Sequence, residues 1–354
     1  MNKKRIVIIC GGKSVEHEIS VQSTKNVIEE IDKKKYQVIL LGITKKGSWV
    51  VFSDSNILSE KNLKIIEESS DNVRVTIDPG SKEPLVGLGK IDAVFPITHG
   101  TYGEDGALQG LLKTLHIPFV GPSILGSSAS MDKDMTKRIL KEAGLPVVKG
   151  RVLNRQSLIE IHEIIEDLGF PLFVKPANLG SSVGVTKAHD MEELKKAIDT
   201  AFQYDTKILI EEGIDGREIE CAILGNEEKK ASVPGEIIVH DTFYSYDAKY
   251  LNAEGASLGI PADIPEDIVK KVQEYAVRAC NSLEVEGMSR VDFFLDKENK
   301  LYINEINTIP GFTKISMYPK LWEISGISYT DLIDHLLQLA IARFEREQSL
   351  ETSI

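Results

Sequence analysis

Apolar and polar positions fall into blocks along the chain, and the first blocks set the fold class. Residues 5–10 (RIVIIC) are apolar without interruption and run into Gly11-Gly12. A helical pattern follows at Val21, Val27, Ile28 and Ile31, and YQVILLGI at 36–43 is a second apolar run. A strand covered on both faces reads as such a continuous run, and the order strand, glycine turn, helix, strand is a βαβ unit, the opening of a doubly wound parallel sheet. IDAVFPITHG at 91–100 predicts another buried strand, ending in the glycine loop GTYGEDG. A helix from Ala107 to Leu115 comes next, and IPFVGPS closes the unit near residue 123. Between these runs KKGSWVVF suggests a hairpin, and the remainder of 44–90 has no clear period.

From Ser128 the pattern (MDKDMTKRILKEAG) predicts one helix, stopped by Gly144 with Pro146 just beyond. Residues 151–212 then read strand, helix (SLIEIHEIIEDLG), strand (PLFVKPA), glycine turn (NLGSSVGV), helix (MEELKKAIDTAF) and strand (KILIEE), an α+β module. The last part alternates EIECAILG, SVPGEIIV, a long polar loop at 240–260, a helix at 265–283, SRVDFFLD, KLYINEIN and a helix at 329–346. Strands outnumber helices there, which predicts a mixed sheet. The expected division is an N-terminal α/β domain at 1–124, a small central domain at 125–212 and a C-terminal domain at 213–354.

Composition narrows the function classes. With 354 residues, 42% hydrophobic and 27% charged, the chain has ample length for more than one core. Its net charge of -12 repels phosphate backbones and anionic lipid, so nucleic acid and membrane are not expected partners. Cys10, Cys221 and Cys280 lie far apart in apolar contexts, without C-x-x-C spacing, and read as buried thiols of a reducing cytoplasm. The apolar run at 6–10 is shorter than the roughly seven to fifteen residues of a signal-peptide core.

Several motifs carry chemistry. Gly11-Gly12-Lys13-Ser14 resembles the end of a phosphate loop, but Val7 stands where the first glycine is required, so the segment is a glycine turn feeding a helix, with Glu16, His17 and Glu18 at its mouth. The loop KPANLGSSVG from Lys175 to Gly184 combines a strand-end lysine, Gly180, Ser181, Ser182 and Gly184, the ingredients for covering a polyphosphate. In SRVDFFLDKENKLYINEIN, Asp292 and the pair Glu305/Asn307 sit on two apolar runs joined by a polar turn, which places them on adjacent antiparallel strands. Glu305 and Asn307 are two apart and share a face, as do Arg290 and Asp292. Two carboxylates and an amide oxygen meeting there make a hard-oxygen site suited to Mg²⁺ held against phosphates. Thr308 to Thr313 is a turn with Gly311 set for close approach to a ligand, followed by Ser316. Its backbone N–H and Arg290 can both face developing negative charge. The loop HDTFYSYDAKYLNAEGAS, with Phe243, Tyr244, Tyr246 and Tyr250, reads as a lid.

Taken in order, GGKSVEHEIS, THGTYGEDG, SMDKDMTK, FVKPANLGSSVGV, EEGIDGREIE, FYSYDAKYL, SRVDFFL and NEINTIPGFTKISMYP resemble the D-alanine-D-alanine ligases of the ATP-grasp superfamily over essentially the whole chain. The resemblance implies a doubly wound N-terminal domain followed by a two-domain α+β ATP-grasp fold. It also implies roles. Glu16 would bind the ammonium of the first D-alanine, with His99 near its carboxylate. Lys133 and Lys175, with Ser182 in the glycine loop, would contact ATP phosphates; Glu211, Glu212 and Ile214 would hold adenine, with Glu218 on the ribose. Ser181 would link Glu16 to Tyr250, while Lys249 reaches the γ-phosphate. Asp292, Glu305 and Asn307 would hold two Mg²⁺ ions, with Mn²⁺ able to substitute. Arg290 and Gly311 would stabilise a tetrahedral intermediate, and Ser316 would take the second substrate's carboxylate. The hinge here reads EEGI, and Gly213 departs from a bulkier residue that would pack the base.

The implied reaction is ATP-dependent joining of two D-alanines through an acyl phosphate, releasing ADP and phosphate, for peptidoglycan precursor synthesis by a homodimer. The alternatives are ligation of D-alanine to D-lactate or D-serine, or a nucleotide-binding regulator without activity. The regulator would have no need of the full set Asp292, Glu305, Asn307, Arg290 and the two lysines.

Overall fold

A computed structural model describes residues 3–52, 73–156, 161–239 and 256–351. The strands and helices are β1 (Lys4–Gly11), α1 (His17–Glu30), β2 (Tyr36–Ile43), β3 (Trp49–Phe52), β4 (Val73–Arg74), β5 (Thr76–Ile77), β6 (Leu85–Val86), β7 (Ala93–Ile97), α2 (Ala107–Thr114), α3 (Ile124–Met131) and α4 (Lys133–Glu142). These are followed by β8 (Gly150–Asn154), α5 (Ile161–Leu168), β9 (Leu172–Pro176), β10 (Thr186–Ala188), α6 (Met191–Ala201) and β11 (Lys207–Glu212). The remainder comprises β12 (Gly216–Gly225), β13 (Lys230–Ala231), β14 (Gly235–Val239), β15 (Ala256–Gly259), α7 (Glu266–Ser282), β16 (Gly287–Asp296), β17 (Leu301–Asn307), α8 (Met317–Ile324) and α9 (Tyr329–Gln348).

The first sheet has the order β4-β3-β2-β1-β7. Its core, β2-β1-β7, is parallel, and the hairpin expected at KKGSWVVF adds β3 antiparallel to β2. Alternation along β1 sends Ile6, Ile8 and Cys10 toward α1 and Val7 and Ile9 toward α2, which explains why the run is apolar at every position. The α1 side is completed by α8 and α9, through Tyr318, Leu332, Leu336 and Leu337. Arg343 of α9 reaches under this sheet's exit, donating to the carbonyls of Gly121 (2.5 Å) and Phe119 (2.8 Å).

The second sheet, β10-β9-β11-β8, is antiparallel, and its Leu172, Val174, Ile208 and Ile210 pack on α5 and α6. The intervening residues Lys175, Lys207, Leu209 and Glu211 therefore face the other way, toward α4. The third sheet, β15-β14-β12-β16-β17, sends Ile219, Cys221, Val291, Phe293 and Ile303 into a core under α7. All three cysteines are free and buried, and burial pushes Cys280 up to about 11 and the other two thiols to about 12.

Two sequence expectations are corrected, and one helix was not anticipated. The helix expected from Ser128 to Gly144 is two helices. Asp132 breaks it in an extended conformation and caps α4, accepting from the N–H groups of Asp134 and Met135 (both 3.1 Å), so a local side-chain bond outcompetes helix continuation. Part of the loop expected at 240–260 is strand: β15 pairs antiparallel with β14. The segment 317–324, which carried no helix expectation, is α8; its buried Met317, Tyr318, Leu321 and Trp322 follow a helical period.

Candidate active site

The first candidate group is Glu16, at the N-cap of α1. Its side chain makes no capping bond, and its Oε1 instead accepts a hydrogen bond from the hydroxyl of Ser181 in the glycine loop. Gly12 (φ +112°) supplies the turn before it, where His17 Nδ1 bonds the Gly12 carbonyl at 2.8 Å. In the loop opposite, Ser181, Ser182 and Gly184 all have left-handed φ values of 52°, 58° and 72°. Left-handed non-glycine residues cost on the order of 1–3 kcal/mol each and persist where surrounding contacts over-determine them. The bond to Glu16 is one such contact.

His99 is buried behind this corner. Its Nδ1 lies 2.9 Å from the Ile309 carbonyl, which can only accept, so Nδ1 carries the proton and Nε2 accepts from Ser23 Oγ at 3.3 Å. Burial holds His99 below the usual histidine range, although Glu16 opposes the shift. Ser23 Oγ also takes the Phe312 N–H at 3.2 Å, so the turn containing Gly311 is moored to α1. Ser316 closes on the same turn: its Oγ accepts from Thr313 N at 2.9 Å, and a Cβ at Gly311 would stand 2.9 Å from that oxygen.

The cationic half of the site is built on α4 and β9. Lys175 Nζ lies 2.5 Å from Glu211 Oε2 and 3.2 Å from Asn304 Oδ1, and Lys133 Nζ lies 2.5 Å from the Leu179 carbonyl and 3.6 Å from Glu305 Oε2. Lys137, which the motif reading left without a role, lies 2.7 Å from Glu211 Oε1. Desolvation pushes Lys137 down to about 8 and lowers Lys133 also. Burial alone would raise the Glu211 carboxyl, but Lys137 and Lys175 override it and hold it below the usual carboxylate range. At the hinge, Glu212 Oε1 accepts from Lys149 N at 3.2 Å. Gly213 donates to the Pro171 carbonyl at 2.8 Å, and a Cβ there would come within 2.9 Å of that oxygen. Close approach thus accounts for the glycine in EEGI. Ile214 follows directly, and Glu218 stands on β12.

The acidic half lies on one face of β12, β16 and β17. The two strands β16 and β17 are antiparallel neighbours, as the sequence implied, and their register pairs Asp292 with Glu305 and Arg290 with Asn307, with Glu220 beside Asp292 on β12. Arg290 grips Asp292 through Nε and Nη2, both at 2.7 Å, and also meets Glu220 at 2.9 Å. Asn307 Nδ2 donates to Asp292 Oδ2 at 2.8 Å, which turns its amide oxygen away from that carboxylate. Two carboxylates and an amide oxygen on adjacent strands are a donor set that fits Mg²⁺. A register shift at Asp292/Phe293 leaves Asn304 as an extra residue, so Asn304 and Glu305 both face away from the core that buries Ile303 and Ile306. Glu104 ties the loop after β7 to the turn after β17, accepting from Gly100 N at 2.6 Å and Ile309 N at 3.0 Å. Burial and the charge of Glu16 push its carboxyl up to about 8.

Lys137 was legible as the residue one helical turn from Lys133, and Glu220 as the residue two from Glu218. Asn304 carried no such signal, because the bulge that turns it is a property of the paired strands. Tyr250 and Lys249, with residues 240–255 of the segment expected to be a lid, lie outside the described residues.

A doubly wound sheet followed by two α+β lobes, with lysines of one lobe facing carboxylates of the next, is the ATP-grasp architecture. Family profiles described as D-ala D-ala ligase N-terminus and C-terminus match residues 5–122 and 139–338. The chain belongs to the D-ala D-ala ligase family. It is 52% identical to the D-alanine--D-alanine ligase of Shouchella clausii over 100% of this chain and 99% of that one. It is 47% identical to D-alanine--D-alanine ligase A of Escherichia coli strain K12 over 100% of both. Its fold superposes on the D-alanine-D-alanine ligase from Coxiella burnetii with a TM-score of 0.89, at 40% identity, covering 98% of this chain and 97% of that one. It superposes on a D-Ala:D-Ser ligase from Enterococcus faecalis with a TM-score of 0.86, at 36% identity, covering 96% and 100%. Among the described residues no helix is long and apolar enough to cross a membrane.

Proposed function

We propose that the chain joins two molecules of D-alanine into D-alanyl-D-alanine at the expense of ATP, supplying a peptidoglycan precursor. The observation that carries this reading is the meeting of the two halves. The lysines of α4 and β9 stand against the carboxylate face of β16 and β17, with Lys133 and Glu305 3.6 Å apart. Fixed cations beside hard-oxygen donors are what transfer of a phosphoryl group requires, since such a step needs alignment and charge neutralisation more than a covalent nucleophile. Asp292, Glu305 and Asn307 would hold Mg²⁺, two ions with Mn²⁺ able to substitute, which would neutralise phosphate charge.

The steps follow from the chemistry of the substrates. A carboxylate is a poor acyl donor, so a carboxylate oxygen of the first D-alanine attacks the γ-phosphorus and ADP leaves. The neutral amine of the second D-alanine then attacks the acyl carbon, the carbon–oxygen bond to phosphate breaks, and the amine gives up a proton. In this scheme Glu16 holds the first ammonium, with His99 near the first carboxylate. Lys133, Lys137, Lys175 and Ser182 hold the phosphates. Glu211, Glu212, Ile214 and Glu218 hold the nucleoside. Arg290 and the Gly311 N–H face the tetrahedral oxyanion, and Ser316 receives the second carboxylate. The roles implied for Lys249, toward the γ-phosphate, and for Tyr250, toward the second substrate, rest on the family likeness. Tyr250, uncharged at neutral pH with a reference pKa near 10, admits the second ammonium, where a charged histidine would repel it and leave the hydroxyl of D-lactate unaffected. The free buried cysteines support a cytoplasmic setting, and the family likeness supports a homodimer.

The test is product analysis with D-alanine alone and with D-alanine plus D-lactate or D-serine at pH 7. Dipeptide of D-alanine in large excess over the mixed products supports the reading. Comparable depsipeptide formation overturns the choice of second substrate.

A further inference from the structure

Lys133 and Lys137 of α4 stand where they do because the helix meets β11 through two oppositely charged contacts. Asp132 uses Oδ1 to cap α4 and presents Oδ2 to Lys207 Nζ at 2.6 Å, and Asp134 Oδ2 lies 3.3 Å from the same ammonium. Lys207 opens β11, and Glu211, four residues on, points from the same face and takes Lys137 at 2.7 Å. Along the strand the order is cation, then anion; along the helix it is anions, then a cation. A slip of the helix by one turn would begin to bring like charges together. Backbone bonds mark the same register: Lys133 N donates to the Ala177 carbonyl and Ala177 N to the Lys207 carbonyl, each at 3.0 Å. Other charges at this contact are Arg138, on Asp134 at 2.7 Å, Asp205, which accepts from Lys207 N at 3.2 Å, and Lys175, 2.5 Å from Glu211 Oε2.

We infer that Lys207 and Asp132 are positioning residues for nucleotide binding, setting where Lys133 and Lys137 meet the phosphates without touching the nucleotide themselves. This rests on the nucleotide site proposed above. It assigns to a partly exposed ion pair at the N-terminal end of α4 an effect on ATP affinity that its own stabilising effect would not produce. Exposed pairs of this kind contribute little to stability, whereas a small displacement of a phosphate ligand is costly.

Asp132→Asn separates the two possibilities, because asparagine caps a helix as well as aspartate does and only the ion pair is lost. Calorimetric Kd values for ATP, KM for D-alanine and thermal midpoints are measured for wild type, Asp132→Asn, Lys207→Met, Lys207→Arg and the double variant. The expected result is ATP affinity weakened on the order of tenfold in each of Asp132→Asn and Lys207→Met. The double variant should be no worse than the weaker single, Lys207→Arg should be near wild type, and KM for D-alanine should be unchanged. ATP affinity equal to wild type in Asp132→Asn and Lys207→Met overturns the inference, as does affinity for both substrates falling in step with the thermal midpoint. Wild type that binds ATP without forming dipeptide refutes the proposed reaction, and the inference is still decided by the Kd values.

Discussion

The hydroxyl of Ser181 donates to the carboxylate of Glu16, joining the glycine loop of the second sheet to the mouth of the first helix across 165 residues of sequence. The group proposed to hold the substrate ammonium is thereby fixed to the loop proposed to cover phosphate. We predict that Glu16→Gln raises KM for D-alanine roughly ten- to a hundredfold, the worth of one charge-assisted hydrogen bond, while ATP affinity changes little. Initial rates with each substrate varied in turn check this. Equal losses for both substrates would make Glu16 a support of the loop rather than a substrate ligand.

Glu305→Gln keeps the shape of the acidic face and removes one charge. Turnover is expected to fall on the order of a hundredfold or more. Stability should move by only about 1 kcal/mol, because Lys133 loses a partner while repulsion with Asp292 is relieved. Paired rate and denaturation measurements test it, and wild-type turnover would make Glu305 structural.

Arg290 holds Asp292 through two nitrogens at 2.7 Å, a planar grip that lysine cannot copy. We predict that Arg290→Lys loses far more in turnover than in ATP affinity. Proportional losses in both would place Arg290 in ground-state binding.

The acidic face was legible in the sequence as far as two apolar runs joined by a polar turn place Asp292 and Glu305 on adjacent antiparallel strands; their direct opposition needs the register shift at Asp292/Phe293. The turn of Asn304 away from the core and toward Lys175 was not legible, since it depends on how β16 and β17 pair. The continuous apolar run at 5–10 announced a strand covered on both faces, but nothing in it said that α9, more than three hundred residues later, would complete one cover. Asp132 shows the limit of periodicity: the apolar pattern runs straight through it, and only the competing bond from its own carboxylate to the backbone divides α3 from α4. The links through His99 to Ile309 and through Glu104 to Gly100 are tertiary, and spacing carries no trace of them.

We predict that Lys137 gives the proposed nucleotide site a pH dependence. Desolvation pushes it down to about 8 against the pull of Glu211, so it is a cation at neutral pH and loses its charge as pH rises through that value. ATP affinity is therefore expected to weaken between about pH 7 and pH 9.5, and Lys137→Arg, which stays protonated, should flatten the profile. For stability the sign is opposite. Between about 8 and 10.5 the unfolded chain binds more protons at this lysine, so its contribution rises with pH. Parallel affinity profiles for wild type and Lys137→Arg would remove Lys137 from the nucleotide site.

The acyl phosphate is tested most directly by following oxygen. D-alanine labelled with ¹⁸O in both carboxylate positions is incubated with unlabelled ATP, and ADP, phosphate and dipeptide are analysed by mass. The attacking carboxylate oxygen stays on phosphorus when the carbon–oxygen bond breaks. One ¹⁸O is therefore expected in each inorganic phosphate, with one ADP and one phosphate per D-alanyl-D-alanine. Label in AMP, with pyrophosphate released, would contradict the account and point to adenylation; unlabelled phosphate would contradict it as well, because no acyl phosphate would then have formed.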